Sequence, residues 1–501
     1  MTDKRANSPD SPSLFRRKGR LAGDLRSACG ACSPLSYKKA SSGQAKSDTT
    51  VNSAGSKAMP AENPSPLHGD RVAQWLVAVL LAGVPFHAFL TVWGASLVGH
   101  YTVLRLWSAG LLGLIVLLAA YRVARDKAVR RVVTDDWLLR GILLYGVFMV
   151  LVGVRALLDG TVTGKALAYG LLSDGRYLAM FVAVYVLARS SRWLHGHWRG
   201  LVFVPACVVG LFACLQYLVL PTDFLTHFGY GPATIKPFET INSNAAYLRV
   251  ASTLRGANPL GAYMLVVLSL VVALWLRRAT ARWWLAGVGV LGTGALLFSF
   301  SRSAWVGVAI ACVVLVWAVA RTRAARVRVL LVLAGMMVLT GVAFVSLRHD
   351  RTVQNAIFHT EDRSTVAVSS NDQRARVMTQ ALRQVAAEPF GRGPGTAGPA
   401  SVYNTPHPLR IAENYYLQIA QEVGWLGLLV FVIIQCTVLL RLWYCRQSPL
   451  ALGLFASGVG LVAVNMLSHA WTDDTLAFLW WGLAALAIAL TTQKFSGFSR
   501  K

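Results

Sequence analysis

Acidic residues are scarce in this chain. Asp and Glu number 22 against 49 Lys and Arg, and only 14% of the 501 residues are charged, while 55% are hydrophobic. A soluble domain of ordinary composition has about a quarter of its residues charged. The shortfall excludes a soluble globular protein and indicates a polytopic membrane protein. The formal charge of +27 does not point to nucleic acid, because most basic residues flank apolar runs, where membrane topology accounts for them. A disulfide framework is missing too. Cys207, Cys214, Cys312 and Cys436 lie inside apolar runs as packing residues, and Cys29-Gly-Ala-Cys32 has no second pair to complete four metal ligands. There is no Asp-rich metal motif. The run GRGPG, Gly391–Gly395, lacks the Gly-Lys-Ser/Thr ending of a phosphate-binding loop and reads as a turn. No metal and no cofactor are expected.

What is abundant is long apolar sequence. Trp283–Ala320 holds 38 residues and a single charge, Arg302. One helix of that length would run roughly 57 Å, about twice the ~30 Å hydrocarbon core of a bilayer, so two spans meeting near Arg302 fit better. Apolar runs between basic clusters predict twelve spans, near 73–96, 102–121, 137–156, 166–188, 199–220, 259–276, 283–300, 303–320, 327–347, 415–440, 449–469 and 475–492. Twenty Lys or Arg fall in the short segments on one side, against Arg155, Lys165 and Arg302 in the turns on the other. By the positive-inside rule the first side, with both termini, is cytoplasmic. Residues 1–70 carry 12 Ser, 11 Lys or Arg and 6 Asp or Glu, which predicts a disordered basic cytoplasmic tail, and no signal-peptide core precedes Arg71. The membrane domain is expected over 71–493, with a large external loop at 348–414 and a short cytoplasmic tail at 494–501. In that loop, SSNDQRARVMTQALRQVAAEPF predicts an amphipathic helix, capped by Ser370 or Asn371 and ended at Pro389 and Gly391. It would lie on the outer membrane surface or lid a cavity.

The ionisable residues of the spans and their ends gather on the external side. They are Asp174 and Arg176 in LLSDGRYLAM, Arg249 and Arg255 before the sixth span, Arg302, Arg374 and Arg376 at the start of the loop helix, Glu413 and Glu422, and His469, Asp473 and Asp474 before the last span. Asp174 and Arg176, two residues apart on a helix, face different ways, and each needs its own partner. Charges at membrane depth cost at least ~2–3 kcal/mol each unless paired or wetted, so the gathering predicts a shared polar cavity. Blander readings exist. An arginine near a membrane end can snorkel to headgroups, and Asp473 and Asp474 can serve a helix N-terminus. An arginine-rich cavity suits an anion, since guanidinium forks match phosphate oxygens, and a membrane-embedded pocket suits a lipid tail. Together they point to a lipid-linked phosphate or diphosphate, whose own phosphoester supplies the energy while arginines neutralise the leaving group.

Several motifs resemble those of the O-antigen ligase and O-antigen polymerase superfamily. SFSRSAWVGV resembles its Ser-Arg-Gly/Ser motif, RVASTLRGANPLGAY its Arg…Asn-x-x-Gly segment ahead of a span, and SDGRYLAM its Asp-x-Arg site. ENYYLQIAQEVGWLGLLVF resembles the segment that follows the family's large periplasmic loop. The likeness runs in order through residues 72–492. It implies an all-α, C-type glycosyltransferase-like fold in a bacterial cytoplasmic membrane. It also implies metal-independent transfer of glycan from undecaprenyl diphosphate to an acceptor glycan or lipid on the external face. By that likeness Arg176 and Arg302 would hold the diphosphate, supported by Arg249 or Arg255, with Asp174, Asn258, Arg374 and Asn414 also in the binding site. Glu413, or failing it His469 or Asp473, would take the acceptor proton. Ligases place His before Asn where this chain has Glu413 before Asn414, and the nearest histidine is His407. That departure favours a polymerase, or a ligase for an acceptor other than lipid A core. The alternative is a multi-span solute transporter of the bicarbonate- or anion-carrier type, for which internal repeats and polar groups at mid-depth would be expected.

Overall fold

The structure, a computed structural model, describes residues 68–498 apart from 190, 242–243, 279–281, 321 and, but for a few isolated positions, 329–369. The chain divides into two units, 1–63 and 64–501. The first lies outside the described residues, as do most of the expected ninth span and residues 348–369 of the expected loop.

Fourteen helices carry the described fold. They are α1 (His68–Gly83), α2 (His87–Val98), α3 (Trp107–Arg125), α4 (Lys127–Asp135), α5 (Trp137–Leu158), α6 (Gly164–Ala188), α7 (Arg192–Leu218), α8 (Ala257–Leu276), α9 (Arg282–Phe298), α10 (Arg302–Val319), α11 (Ser370–Ala387), α12 (Tyr415–Tyr444), α13 (Pro449–Leu467) and α14 (Asp474–Phe498). A one-turn helix, Tyr101–Leu104, precedes α3, and a small antiparallel hairpin, β1 (Glu239–Ile241) with β2 (Asn244–Arg249), precedes α8. Among the described residues nine helical stretches are long and apolar enough to cross a membrane, joined by two shorter apolar helices, Trp283–Phe298 and Asp474–Ala489.

The run around Arg302 is two helices. α9 has 17 residues and α10 has 18, about 26 Å each at 1.5 Å per residue. Both are shorter than a ~30 Å hydrocarbon core, and in the turn between them Ser299 and Ser301 are fully buried. Elsewhere the helices outrun their apolar sequence. α7 begins at Arg192, seven residues before the expected span, because the Ser191 hydroxyl caps it by accepting from Leu194 N at 3.2 Å.

Small residues set the packing. α10 crosses α13 at Gly307 and Gly460, where a Cβ on Gly460 would come 2.5 Å from the Gly307 carbonyl oxygen. Such close crossings are how membrane helices gain dispersion contact without a hydrophobic driving force. α8 sits at the centre against α9, α10 and α13, and α14 packs along α6. Beneath the polar region, Trp471, Trp480 and Trp481 form an edge-to-face cluster with Tyr177.

α12 is interrupted at Gly424, whose φ of 72° is outside the helical region. The break frees backbone groups, and the segment after α11 uses them. Arg392 N donates to Gln421 O at 2.9 Å, Gly393 N to Glu422 O at 2.8 Å, and Trp425 N to Pro389 O at 3.0 Å. The GRGPG run is therefore a turn, as its sequence predicts, but one pressed into the bundle between α5, α6 and α12. Glycine is required there: a Cβ at Gly395 would collide with the Ala166 carbonyl, and one at Gly424 with the Pro389 carbonyl. α11 buries Ala381 and Val385 against α12 and leaves Leu382 half exposed.

Candidate functional site

The chain's alternation brings the starts of α6, α8, α10, α12 and α14 to one end of the bundle. Most arginines that end helices lie at the other, Arg122 and Arg125 on α3, Arg277 after α8 and Arg441 on α12, whereas Arg155 ends α5 at the near end. At that far end Arg441 grips Asp136 bidentately, at 2.6 and 2.7 Å.

At the near end lies a cavity of about 210 Å³, with Arg255, Asn258, Arg374, Glu413, His469 and Asp473 in its wall. They reach it from several elements. The β hairpin delivers Arg249, whose guanidinium donates to Asn258 Oδ1 at 2.7 Å and Ser299 O at 3.0 Å and pairs with Glu239 at 3.3 Å. Glu239 Oε1 also accepts from Ala257 N, at 3.1 Å, at the start of α8. Arg302 opens α10 directly after the buried Ser299–Ser301 turn, within electrostatic reach of Arg249 and Arg374. Arg374, on the first turn of α11, pairs with Glu413. Glu413 itself stands in the left-handed region, φ 48°, a conformation costing a non-glycine residue about 1 kcal/mol or more.

His469 and Asp473 come from the turn between α13 and α14. Asp473 Oδ1 caps α14, accepting from Thr475 N at 3.0 Å and Leu476 N at 3.4 Å, and its Oδ2 lies 3.7 Å from Arg255 Nε. Burial, then the charges of Arg255 and Arg374, push the His469 imidazole down to about 4. It is therefore neutral at ordinary pH, with a lone pair to offer.

Arg255 is the hub. It also borders a second hollow of about 250 Å³, with Arg105, Tyr169, Arg176 and Tyr403, and a third of about 330 Å³ beside His87 and Tyr101. Arg176 occupies the second hollow, bound to Asp474 and to the Thr472 carbonyl. Asp474 accepts in turn from Ser108 at 3.4 Å and meets His87 at 3.0 Å.

Two expected ligand-binding residues are elsewhere. Asp174 is 1% exposed and points away from the cavities. Its Oδ1 accepts from the Tyr415 hydroxyl at 3.0 Å, and its carboxyl meets that of Glu422. Residues two apart on a helix diverge, so Arg176 can face the hollow only if Asp174 does not. Asn414 is a helix cap: its Oδ1 accepts from Leu417 N at 3.0 Å and its amide donates to Met466 O at 2.9 Å. Conversely Glu239, Arg105, Tyr169 and Tyr403 line the hollows unforeseen. For Arg105 a signal was present, a lone arginine in HYTVLRLWSAG at the end of a span opposite the basic clusters.

Among the described residues no group of three or more His, Cys, Asp or Glu is placed to hold a metal ion. The arrangement can bind an anion through several guanidinium groups and offers a carboxylate and a neutral imidazole as proton acceptors beside it. No curated protein matches this chain. Residues 287–432, a little under a third of the chain, match the family model described as O-antigen ligase. The matched segment runs from α9 through Arg302, α11, the wedged turn and Glu413 into α12. Over that segment the chain is similar to the O-antigen ligase family.

Proposed function

We propose that the protein transfers a glycan from undecaprenyl diphosphate to an acceptor hydroxyl on the external face of a bacterial cytoplasmic membrane. It does so without a metal, in a twelve-span, C-type glycosyltransferase-like fold. The observation that carries this reading is the convergence of Arg249, Arg255, Arg302 and Arg374 beside one cavity that also holds Glu413 and His469. Arg302, Arg249 and Arg374 receive the diphosphate, and Arg255, with Arg176 behind it, supports the far side.

The charges fit the chemistry. Counted as ionised and among the described residues, these four arginines face Glu239, Glu413 and Asp473, an excess of one positive charge. When Glu413 takes the proton of the attacking hydroxyl, the excess becomes two. In the same step the C–O bond to the diphosphate breaks, and the leaving group gains one negative charge. The cavity's field therefore strengthens as the leaving group needs it, which is differential stabilisation of the transition state. Asp473 is a poorer base, because one of its oxygens is committed to the cap of α14.

The test uses the full chain in lipid nanodiscs with an undecaprenyl-diphosphate-linked oligosaccharide and a matching acceptor, the products being read by mass spectrometry. Arg302→Ala should lower transfer by about 100-fold or more while the protein stays monodisperse. Undiminished transfer would overturn the role of Arg302. Uptake of bicarbonate or another small anion into vesicles, with no glycan transfer, would overturn the enzymatic reading.

A further inference from the structure

The second hollow is built differently from the first. Its one arginine without a carboxylate is Arg105, between the Tyr101–Leu104 turn and α3. Among the described residues its guanidinium makes no hydrogen bond or ion pair. It lies 5.6 Å above the ring of Tyr169, on α6. That ring is stacked at 4.5 Å and 34° on Tyr403, which the segment after the wedged turn delivers. Lys165 Nζ lies 4.7 Å over the other ring. Arg176 and Asp474, also in the wall, neutralise each other. The hollow therefore presents two half-buried tyrosine rings and, among the described residues, one guanidinium that no carboxylate contacts, and it meets the diphosphate cavity at Arg255.

Each part limits the ligand. Tyrosine rings give a flat surface on which the C–H face of a sugar can pack while its hydroxyls stay wet. A guanidinium without an anion is a fork with open donors, matched to a carboxylate. The wall mixes Ser108, Ser173, Arg105 and Arg176 with Leu106, Leu172 and Val402, amphipathic as a sugar is and unlike the continuous apolar lining that suits an acyl chain. We propose that this hollow is the acceptor subsite and takes a saccharide bearing an anionic group, a uronic acid. The sugar ring lies on Tyr403 and Tyr169, with its carboxylate on Arg105 and its reactive hydroxyl turned past Arg255 toward Glu413. The assignment as acceptor rests on the glycan-transfer reading; the binding of an acidic sugar does not.

The experiment measures binding to the full chain in nanodiscs by saturation-transfer NMR and thermophoresis, with trigalacturonate, its methyl ester and inorganic phosphate as probes. Trigalacturonate should bind about tenfold or more tighter than the ester. Arg105→Gln should remove that preference and leave ester binding unchanged. Arg105→Lys, which keeps the charge but loses the fork, should retain part of it. Tyr403→Ala should weaken both sugars, and Arg302→Ala should alter neither. Equal affinity for acid and ester, or an unchanged preference in Arg105→Gln, overturns the proposal. Phosphate displacing trigalacturonate at equal concentration would reduce the hollow to a plain anion site and overturns it as well. If trigalacturonate binds as stated while no lipid-linked donor is turned over, the subsite stands and the transfer reading fails. If transfer proceeds but Arg105→Gln binds normally, the reverse holds.

Discussion

At the scale of single residues, the near end of the bundle is a set of charges that tune one another. His469 is the clearest case. Burial and two arginines hold it at about 4, against about 6.5 in an unfolded chain. Between these values the unfolded state binds a proton that the folded state refuses. Stability should therefore fall as pH drops from about 6.5 to about 4 and should be insensitive to His469 above that window. Thermal unfolding in detergent at a series of pH values checks this: His469→Asn should flatten the profile between those limits and leave it unchanged at pH 7.5. A second expectation concerns Glu413. If it takes the acceptor proton, Glu413→Gln should lower kcat by about 100-fold or more with little change in donor KM. His469→Asn losing activity while Glu413→Gln retains it would move the base to the imidazole. Which residues carry charge here was legible in the sequence, because ionisable groups in apolar runs are conspicuous. Which way they face was not: Asp174 and Arg176 lie in one short motif, and only the packing of α12 and α14 on either side of α6 decides that the arginine, not the carboxylate, meets the hollow.

At the scale of elements, the interruption of α12 is the feature that hydropathy could not foresee. The sequence ENYYLQIAQEVGWLGLLVF reads as one apolar span, and a single glycine within it is unremarkable. What makes Gly424 a break is a remote segment, residues 389–397, that supplies partners to the backbone groups the break exposes. Non-helical backbone is tolerated at membrane depth only when so satisfied. Glu422 adds to the seam, its Oε1 accepting from Gly395 N at 2.9 Å and Ala397 N at 3.3 Å. Glu388 ties the same segment to Arg410, at 2.6 and 3.2 Å, and to Arg392 at 3.2 Å. Gly424→Ala, which forces a side chain onto the Pro389 carbonyl at positive φ, should cost on the order of 1–3 kcal/mol and loosen this seam. Hydrogen exchange should then quicken at residues 389–397 before any other described segment. Equal exchange in both proteins would mean that the seam does not depend on the break. The amphipathic pattern of α11 was legible, and so was its end before Pro389; the helix already includes Ser370 and Asn371, the expected caps. Its docking on α12 was not, because Val377, Ala381, Leu382 and Val385 would suit a lipid surface equally well.

For the molecule as a whole, eleven of the twelve expected spans correspond to described helices, because each is an apolar run bounded by charge. The ninth, 327–347, lies mostly outside the described residues. Sidedness should follow the basic clusters at the far end of the bundle. Alkaline phosphatase fused after residue 400 should be active, and fused after residue 498 inactive, since the enzyme folds only outside the cytoplasm. The reverse pattern would turn the polar hollows toward the cytosol and end the case for an external reaction.

The shortness of α9 and α10, together with the buried Ser299 and Ser301 in the turn joining them, sets Arg302 directly against a floor closed to water. On the proposed reading, a pyrophosphate held by Arg302 would shed water on that side. Spontaneous hydrolysis, the wasteful fate of an activated sugar, would then be disfavoured until a hydroxyl-bearing partner arrives.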